Sequence, residues 1–194
     1  MNKGTKSVVR SKDNALPIVS CHKVYVAKKS GEKNWDTPRY LENLTELGIE
    51  KNFSNDGFYA EGTLKHNEST LTDIPVTMAL GDLTDDDEVY LLGHRKDING
   101  MIIRNKNDVA PDVALMFTVQ KANNIFKGYV YYDGKFVPTG VSAATSEGSA
   151  NYQPKTITGS FKPLENGDTD ASKVLTSLSE VEEFFKKVPI PDEE

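Results

Sequence analysis

The chain has 194 residues, 37% of them hydrophobic and 27% charged, which is enough apolar material for one domain around a single core. No run approaches the roughly 18 apolar residues of a membrane-spanning helix, and the basic N-terminal stretch lacks the apolar centre of a secretory signal, so we expect neither. The 29 Asp and Glu residues exceed the 23 Lys and Arg residues, and the net charge of -6 has the wrong sign for a protein that grips nucleic acid or an anionic membrane.

The first twenty residues predict a flexible arm, because they contain no periodic apolar pattern. Four basic residues are scattered among small polar ones: Lys3, Lys6, Arg10 and Lys12. We therefore expect an arm over residues 1–20, one domain over residues 21–188 and a solvated tail over residues 189–194. The single cysteine, Cys21, excludes an internal disulfide and a cysteine-based zinc site, and we expect it to be a small buried or strand-end residue.

The first half of the domain predicts strands. Residues 22–28 are rich in β-forming side chains, and residues 31–38 break that run. Residues 46–53 and 58–64 lie on either side of Asp56-Gly57, a dipeptide that favours a tight hairpin turn. Residues 71–80 predict a further strand, in which Pro75 favours an edge position or a bulge.

A short helix and more strands follow. Acidic residues lead from Asp82 and apolar ones follow to Leu92, a pattern typical of a short helix that ends at Gly93. Strand patterns resume at residues 101–104 and 112–120. Residues 125–132 and 135–137 flank Asp133-Gly134, which predicts a second hairpin. A small, polar stretch at residues 142–149 separates it from a last strand at residues 156–163.

The C-terminal segment predicts an amphipathic helix that Pro189 stops. Ser177 with Glu180 three residues later forms a capping box, and Glu183 with Lys187 forms a supporting pair one turn apart. The expected buried face consists of five apolar residues: Leu178, Val181, Phe184, Phe185 and Val188. About eight strands and two helices predict a mainly β domain, an antiparallel β-sandwich or partly open barrel with a short internal helix and a C-terminal amphipathic helix.

No residue pattern predicts an active site. His22, His66 and His94 do not share a metal-ligand spacing, and the acidic run at residues 85–88 lacks the alternation and glycine of a calcium loop. Glycines occur singly, without a phosphate-binding cluster, and no nucleophile elbow is present. We therefore predict no catalytic residue, no cofactor and no metal, and a protein that is not an enzyme. Three clustered tyrosines favour packing over a stacking platform for bases: Tyr129, Tyr131 and Tyr132.

The order of four segments resembles the major tail proteins, or tail tube proteins, of long-tailed, non-contractile (siphovirus-type) bacteriophages of Gram-positive bacteria. The segments are the acidic helix that runs into Leu91-Leu92-Gly93-His94, then residues 107–114, 129–136 and 156–161. Together they span roughly residues 20–165. The chain departs from that family in its longer polar arm before His22 and in its phenylalanine-bearing final helix.

The resemblance implies a virion structural protein with a β-sandwich tail-tube fold. Such proteins form hexameric rings that stack into a hollow tube around a tape measure protein, with tail terminator and distal tail proteins at the ends. Double-stranded DNA passes through the tube transiently, without adhering, during delivery into the host. The implied location is the virion tail, with assembly in the host cytoplasm, and no membrane partner is implied.

Charge and exposed residues suggest how such a tube would work. An acidic lumen repels phosphates, so we expect some of six carboxylates to face it: Asp56, Glu61, Glu68, Asp73, Asp82 and Asp85. Trp35 lies in a polar loop and is a candidate contact between rings. Two alternatives remain open at this stage. One is a tail terminator or connector that forms a single ring. The other is a monomeric β-sandwich that binds carbohydrate through Trp35 and the tyrosines.

Overall fold

A computed structural model of the chain describes residues 15–137, 140 and 153–190. The predicted flexible stretch at residues 142–149, residues 191–194 of the predicted tail and most of the predicted arm lie outside the described residues. The tail was predicted as solvated from residue 189, but Pro189 O accepts a hydrogen bond from the Tyr132 hydroxyl at 3.1 Å. The first strand begins at Ile18, inside the predicted arm, because Ile18 and Ser20 already pair with Lys121 and Gln120 of a neighbouring strand.

The described chain is mainly β and antiparallel, which confirms the predicted fold class. Its strands, in chain order, are β1 (Ile18–Gly31), β2 (Asn34–Trp35), β3 (Arg39–Leu41), β4 (Leu44–Ile49), β5 (Asn52–Ala60), β6 (Thr63–Leu80), β7 (Arg95–Lys96), β8 (Ile102–Ile103), β9 (Val113–Lys121), β10 (Ile125–Val137), β11 (Lys155–Lys162) and β12 (Asp170–Leu175). The helices are α1 (Asp85–Leu92) and α2 (Leu178–Phe184). A 3₁₀ turn, Ala122–Asn124, joins β9 to β10.

The main sheet curls into a partly open barrel. Its strand order is β2-β1-β9-β10-β11-β6-β4, and β12 pairs with the first half of β10 while β11 pairs with the second half. β3 pairs with β1 on the side away from β9, and only two residues separate β3 from β4, the last strand in the order. The two ends of the sheet therefore approach each other.

Apolar side chains are buried on both faces of one part of this sheet. In β9, Val113, Leu115 and Phe117 point into the barrel, whereas Ala114 and Met116 belong to a second core beneath α2. Because successive strand residues face opposite sides, only burial on both sides makes every residue of such a strand apolar. This explains why β9 is the strongest strand signal in the sequence.

The predicted turn at Asp56-Gly57 is wrong. β5 passes straight through both residues, and the chain reverses at Glu61-Gly62, where φ is 55° and 74°. Ala60 pairs with Thr63, which leaves a two-residue loop of the kind that needs positive φ at both positions. Gly57 adopts no positive φ and instead leaves room for neighbouring side chains.

The predicted turn at Asp133-Gly134 is also wrong, because both residues lie within β10. The register with β9 shifts between Tyr131 and Gly134, and at this bulge β10 changes one partner from β12 to β11. Asp133 is buried and forms an ion pair with Lys29. Gly134 lies under the ring of Phe161, where a Cβ atom would be only 2.3 Å from a ring carbon.

Pro75 was expected at an edge or a bulge, but it lies inside β6 in regular register with Ser160 of β11, where the other partner of β6 changes from β4 to β5. The Pro75 carbonyl accepts a hydrogen bond from Glu50 N at 3.1 Å, just beyond the end of β4 and before β5 begins. The N and O atoms of a strand residue point to the same edge of the strand. The missing N–H of Pro75 therefore faces the point at which the partner of β6 changes from β4 to β5.

Both predicted helices form, with corrections to α2. The Thr84 side chain caps α1 by accepting from Asp87 N at 3.2 Å, and Gly93 ends the helix with φ of 71°. Ser177 caps α2 as predicted, but α2 ends at Phe184, before Pro189. Glu183 pairs with Lys186 at 2.5 Å and not with Lys187.

Two further differences concern the C-terminal segment and the cysteine. Leu178 is 55% exposed, because the buried side chains of α2 lie in its second half and the turn that follows. β12 has no counterpart among the predicted strands. Cys21 is exposed near the start of β1, which agrees with the strand-end alternative and not with burial, and its S–H donates weakly to Thr118 O at 3.7 Å.

Candidate assembly surface

β5 and the first half of β6 form a two-stranded ribbon, residues 52–73, which we call the projecting hairpin. β5 pairs with β6 alone among the described strands, whereas the second half of β6 lies between β11 and β4. Apart from Ala60, Leu71 and Asp73, every residue of the ribbon is exposed. The ribbon therefore stands away from the barrel without support from the described residues. A lone two-stranded hairpin of this kind is only marginally stable in water.

Polar contacts fix the base of the projecting hairpin. Lys51 forms a 2.5 Å ion pair with Asp170 of β12. Asn52 Nδ2 donates to Asp73 Oδ1 at 3.0 Å, and the Thr72 hydroxyl donates to Asn52 O at 3.0 Å. The direction in which the ribbon leaves the barrel is therefore set by its base.

One face of the projecting hairpin, the apolar face, carries apolar pairs at its base and tip. Phe53 pairs with Leu71 at the base and Tyr59 with Leu64 near the tip. A Cβ atom on Gly57 would lie 3.0 Å from Leu64 and 3.1 Å from Tyr59, so all three residues share this face. Phe53, Tyr59 and Leu64 are 54%, 68% and 47% exposed, which is a large apolar area to leave in water.

The opposite face, the acidic face, places two carboxylates side by side. Asp56 is the register partner of Glu68, and Phe58, 64% exposed, is the partner of His66 in the neighbouring pair. Like charges directly opposite each other destabilise a ribbon. This face therefore gains stability from any cation that approaches it.

The helix α1 lies at the other end of β6. β6 has 18 residues, about 60 Å of extended chain, and its last residue, Leu80, precedes α1 by four residues. Lys28 N donates to the Tyr90 hydroxyl at 2.9 Å, and Arg39 forms a 2.6 Å ion pair with Asp87. These contacts hold α1 at the end of the barrel opposite to the projecting hairpin.

A buried carboxylate organises the segment after α1. Glu88 accepts from Arg104 Nε at 2.7 Å and from Lys155 Nζ at 3.2 Å. Burial alone would raise the pKa of the Glu88 carboxyl, but the hydrogen bonds and charges of Arg104 and Lys155 outweigh it and lower the pKa. Glu88 therefore stays ionised and ties two distant segments to α1.

His94 belongs to the same group and has a structural role. Its Nδ1 lies 2.8 Å from Asp108 Oδ2, and its Nε2 lies 3.9 Å from Glu88 Oε1. A hydrogen bond from Asn105 N and the contact with His94 lower the pKa of Asp108. Both ring nitrogens of this buried imidazole face carboxylates, Asp108 on one side and Glu88 on the other.

Residues 95–109, which we call the basic lobe, extend from this network. They contain the β7–β8 ribbon and four cations: Arg95, Lys96, Arg104 and Lys106. Lys96 pairs with Asp86 at 2.8 Å, and Arg104 pairs with Glu88, so these two cations hold the lobe to α1. Arg95 and Lys106 are exposed on it. Four exposed apolar side chains accompany them: Ile98, Met101, Ile103 and Val109.

The six carboxylates predicted to line a channel fall into two groups. Asp56 and Glu68 are neighbours on the acidic face, Glu61 is in the turn at the tip and Asp73 is at the base of the projecting hairpin. Asp82 and Asp85 lie at the opposite end, beside α1, where Asp82 Oδ1 accepts from Leu83 N at 2.8 Å. The six do not form one continuous surface on a single copy.

Trp35 and the tyrosines make contacts within the chain. Trp35 Nε1 donates to Tyr132 O at 3.0 Å, and its half-buried ring lies 5.8 Å from the Tyr132 ring. Burial raises the pKa of both Tyr131 and Tyr132 to about 12. These tyrosines are core residues, as predicted, and are not available as a platform for bases or sugars.

A groove lies between β12 and α2. Its volume is about 530 Å³, and Leu175, Phe184 and Pro189 contribute its apolar lining. The polar lining consists of exposed lysines and glutamates. The groove therefore lacks the buried polar groups that orient a small ligand.

The sequence patterns did not predict the Glu88 network or the basic lobe, because the roles of these residues depend on the fold. The Glu88 network joins α1, the basic lobe and β11, which are far apart in sequence. One signal was present: residues 98–103 contain four apolar side chains (Ile98, Met101, Ile102 and Ile103) in a stretch too short to be a core strand. In the part of the chain that the structure describes, no group of His, Cys, Asp or Glu could hold a metal ion.

Comparison with models of known protein families gives no match for this chain, and comparison with curated proteins gives none either. Neither helix of the described chain is long and apolar enough to cross a membrane.

Proposed function

We propose that this chain is a self-assembling structural protein that forms stacked rings, as the tail tube proteins of non-contractile bacteriophages do. The observation that carries the proposal is the projecting hairpin. Its apolar and acidic faces are both exposed, and its aromatic side chains are among the most exposed large apolar groups of the described chain. A ribbon of this kind becomes stable when another molecule covers it.

A second copy of the same chain is the simplest cover. Ring closure and stacking use heterologous contacts, in which one surface of a copy meets a different surface of the next. The projecting hairpin and the basic lobe lie at opposite ends of the barrel, so each copy presents two different surfaces. The first residues of the chain, which carry Lys3, Lys6, Arg10 and Lys12, supply a further basic segment for contacts between rings.

The proposal includes the parts of such an assembly. Six copies form a ring, and the stacked rings enclose a tape measure protein, with terminator and distal tail proteins at the two ends. The tube conducts DNA, and its net charge of -6 per copy keeps phosphates from adhering to the wall. Some of the six carboxylates named above face this channel. The chain has no catalytic role in this proposal.

Electron microscopy of the purified protein tests this function. Negative-stain images of the full chain at low and high concentration should show hollow tubes of constant width. Sedimentation velocity should show that the fraction of protein in tubes increases with concentration. Single rings that never stack would instead assign the protein to a terminator or connector. A monomer at every concentration, even after seeding with tube fragments, would refute the proposal, and binding of that monomer to a glycan array would support the carbohydrate-binding alternative.

A further inference from the structure

Two exposed surfaces of this molecule have opposite charge, and both carry large apolar side chains. The projecting hairpin contains four carboxylates and one lysine, a net charge of -3 with His66 neutral. The basic lobe contains four cations and two aspartates, a net charge of +2. Phe58 and Tyr59 project from the first surface, and Ile98 and Met101 project from the second.

The two surfaces cannot meet within one copy. The turn at Glu61-Gly62 and the start of α1 at Asp85 lie beyond opposite ends of β6, an 18-residue strand that corresponds to about 60 Å of extended chain. The Glu88 network holds the basic lobe to α1, and the base contacts of Asn52 and Thr72 hold the two strands of the projecting hairpin together at the other end. Contact between the two surfaces therefore requires two molecules.

We propose that the acidic face of the projecting hairpin of one copy docks on the basic lobe of a second copy of this chain. The inference rests on the proposed function and names the surfaces that it uses. The cross-strand carboxylates Asp56 and Glu68, which repel each other in the isolated chain, meet the exposed cations Arg95 and Lys106. Asp56 and Glu68 thus face a neighbour, which leaves the channel to other carboxylates.

Charge and apolar area have different roles at this contact. Phe58 lies beside Asp56 and Glu68 on the acidic face, and Ile98, fully exposed, lies at the end of the β7–β8 ribbon between Arg95 and Lys106 in sequence. Burial of these apolar groups supplies most of the affinity, whereas the opposite charges select the partner surface and its register. Because surface and partner surface differ, the contact is head-to-tail and repeats from copy to copy.

Paired charge reversals test this contact. The first variant, Asp56→Lys with Glu68→Lys, makes the hairpin basic. The second variant, Arg95→Glu with Lys106→Glu, makes the lobe acidic. In each of them like charges face each other, and we expect the concentration at which tubes form to rise at least tenfold.

Complementation distinguishes a specific pairing from a general effect of charge. A chain that carries all four reversals should form tubes again. An equimolar mixture of the two variants should do so as well, because the hairpin of each variant and the lobe of the other have opposite charges. Two matched controls have the same changes in net charge on other exposed residues: Glu165→Lys with Glu182→Lys, and Lys173→Glu with Lys187→Glu. Both controls should assemble at the wild-type concentration.

Each outcome has one reading. If tubes form from the wild type and equally from both reversal variants, the docking is wrong and the proposed function stands. If each reversal blocks assembly but neither the fourfold variant nor the mixture restores it, the pairing of these two surfaces is wrong. If the wild type forms no tubes under any condition, the proposed function itself fails. Unchanged unfolding temperatures of all variants verify that each chain is folded.

Discussion

Replacement of Gly134 by alanine tests the packing at the centre of β10. The added Cβ atom would lie 2.3, 2.4 and 2.6 Å from three carbons of the Phe161 ring, well inside van der Waals contact. That ring is 1% exposed and packs edge-on against Tyr131 and Phe136, with centroids 6.2 and 5.9 Å away, so it has no open space to move into. Overpacking of such a core costs about 1–3 kcal/mol.

Urea and thermal unfolding, followed by the fluorescence of the single Trp35 and by circular dichroism, measure this effect. The melting temperature of Gly134→Ala should fall by roughly 2–4 °C per kcal/mol, or about 2–12 °C in all. Gly48→Ala is the matched control, because Gly48 also lies in a strand but its nearest neighbour would be 3.9 Å from the new Cβ atom. The control should stay within about 0.5 kcal/mol of the wild type.

The double variant identifies the cause. Phe161→Leu alone removes ring contacts and costs about 1–2 kcal/mol, but it also makes room at position 134. The two changes together should therefore destabilise the chain by at least about 0.5 kcal/mol less than the sum of the separate effects. Additive effects would refute the packing argument, because a glycine needed for a turn would be lost at the same cost whatever residue occupies position 161.

Three other predictions concern the ion network, the projecting hairpin and the arm. The free energy of unfolding should fall as the pH drops below about 4.5. The pKa of Glu88 is lower in the folded than in the unfolded chain, so its contribution to stability is complete above the unfolded-state pKa and is lost as the pH falls through the folded-state pKa. In urea unfolding at several pH values, the free energy of unfolding of Glu88→Gln should change less with pH than that of the wild type. Replacing both Tyr59 and Leu64 by serine should change the melting temperature little, since both side chains are exposed, but should abolish the tubes seen by electron microscopy; wild-type tube yield would argue against a role of the apolar face in assembly. Deletion of residues 1–14 should leave the melting temperature unchanged and reduce polymerisation. Deletion of residues 1–20 should also lower the melting temperature, because Ile18 and Ser20 pair with β9. If the chain that lacks residues 1–14 polymerises as well as the wild type, contacts through the arm are excluded.

Local residue patterns were sufficient where one short segment decides the structure. The acidic first turn and Gly93 predicted α1, because both features lie within the helix or directly at its end. Ser177 and Glu180 start α2 for the same reason. The continuous apolar run of β9 predicted a strand, and the structure shows that this strand lies between the barrel core and α2.

The two wrong turn predictions concern glycines whose surroundings are set by strand pairing and side-chain packing. Asp56-Gly57 and Asp133-Gly134 have the composition of tight turns, but neither glycine has a positive φ, and each leaves room for neighbouring side chains. Gly57 makes room for Tyr59 and Leu64, and Gly134 makes room for the Phe161 ring. For Gly134, a short sequence window contains the dipeptide but not Phe161, whose ring packs against it.

Strand periodicity, capping and net charge are properties of the chain alone, so residue patterns were sufficient to predict a mainly β, acidic domain with two helices. The tertiary structure decided which surfaces remain uncovered. Only the register of β5 with β6 brings Asp56 beside Glu68, and only the Glu88 network presents the basic lobe at the opposite end of the barrel. These features depend on pairings between residues far apart in the chain, which local preferences do not encode.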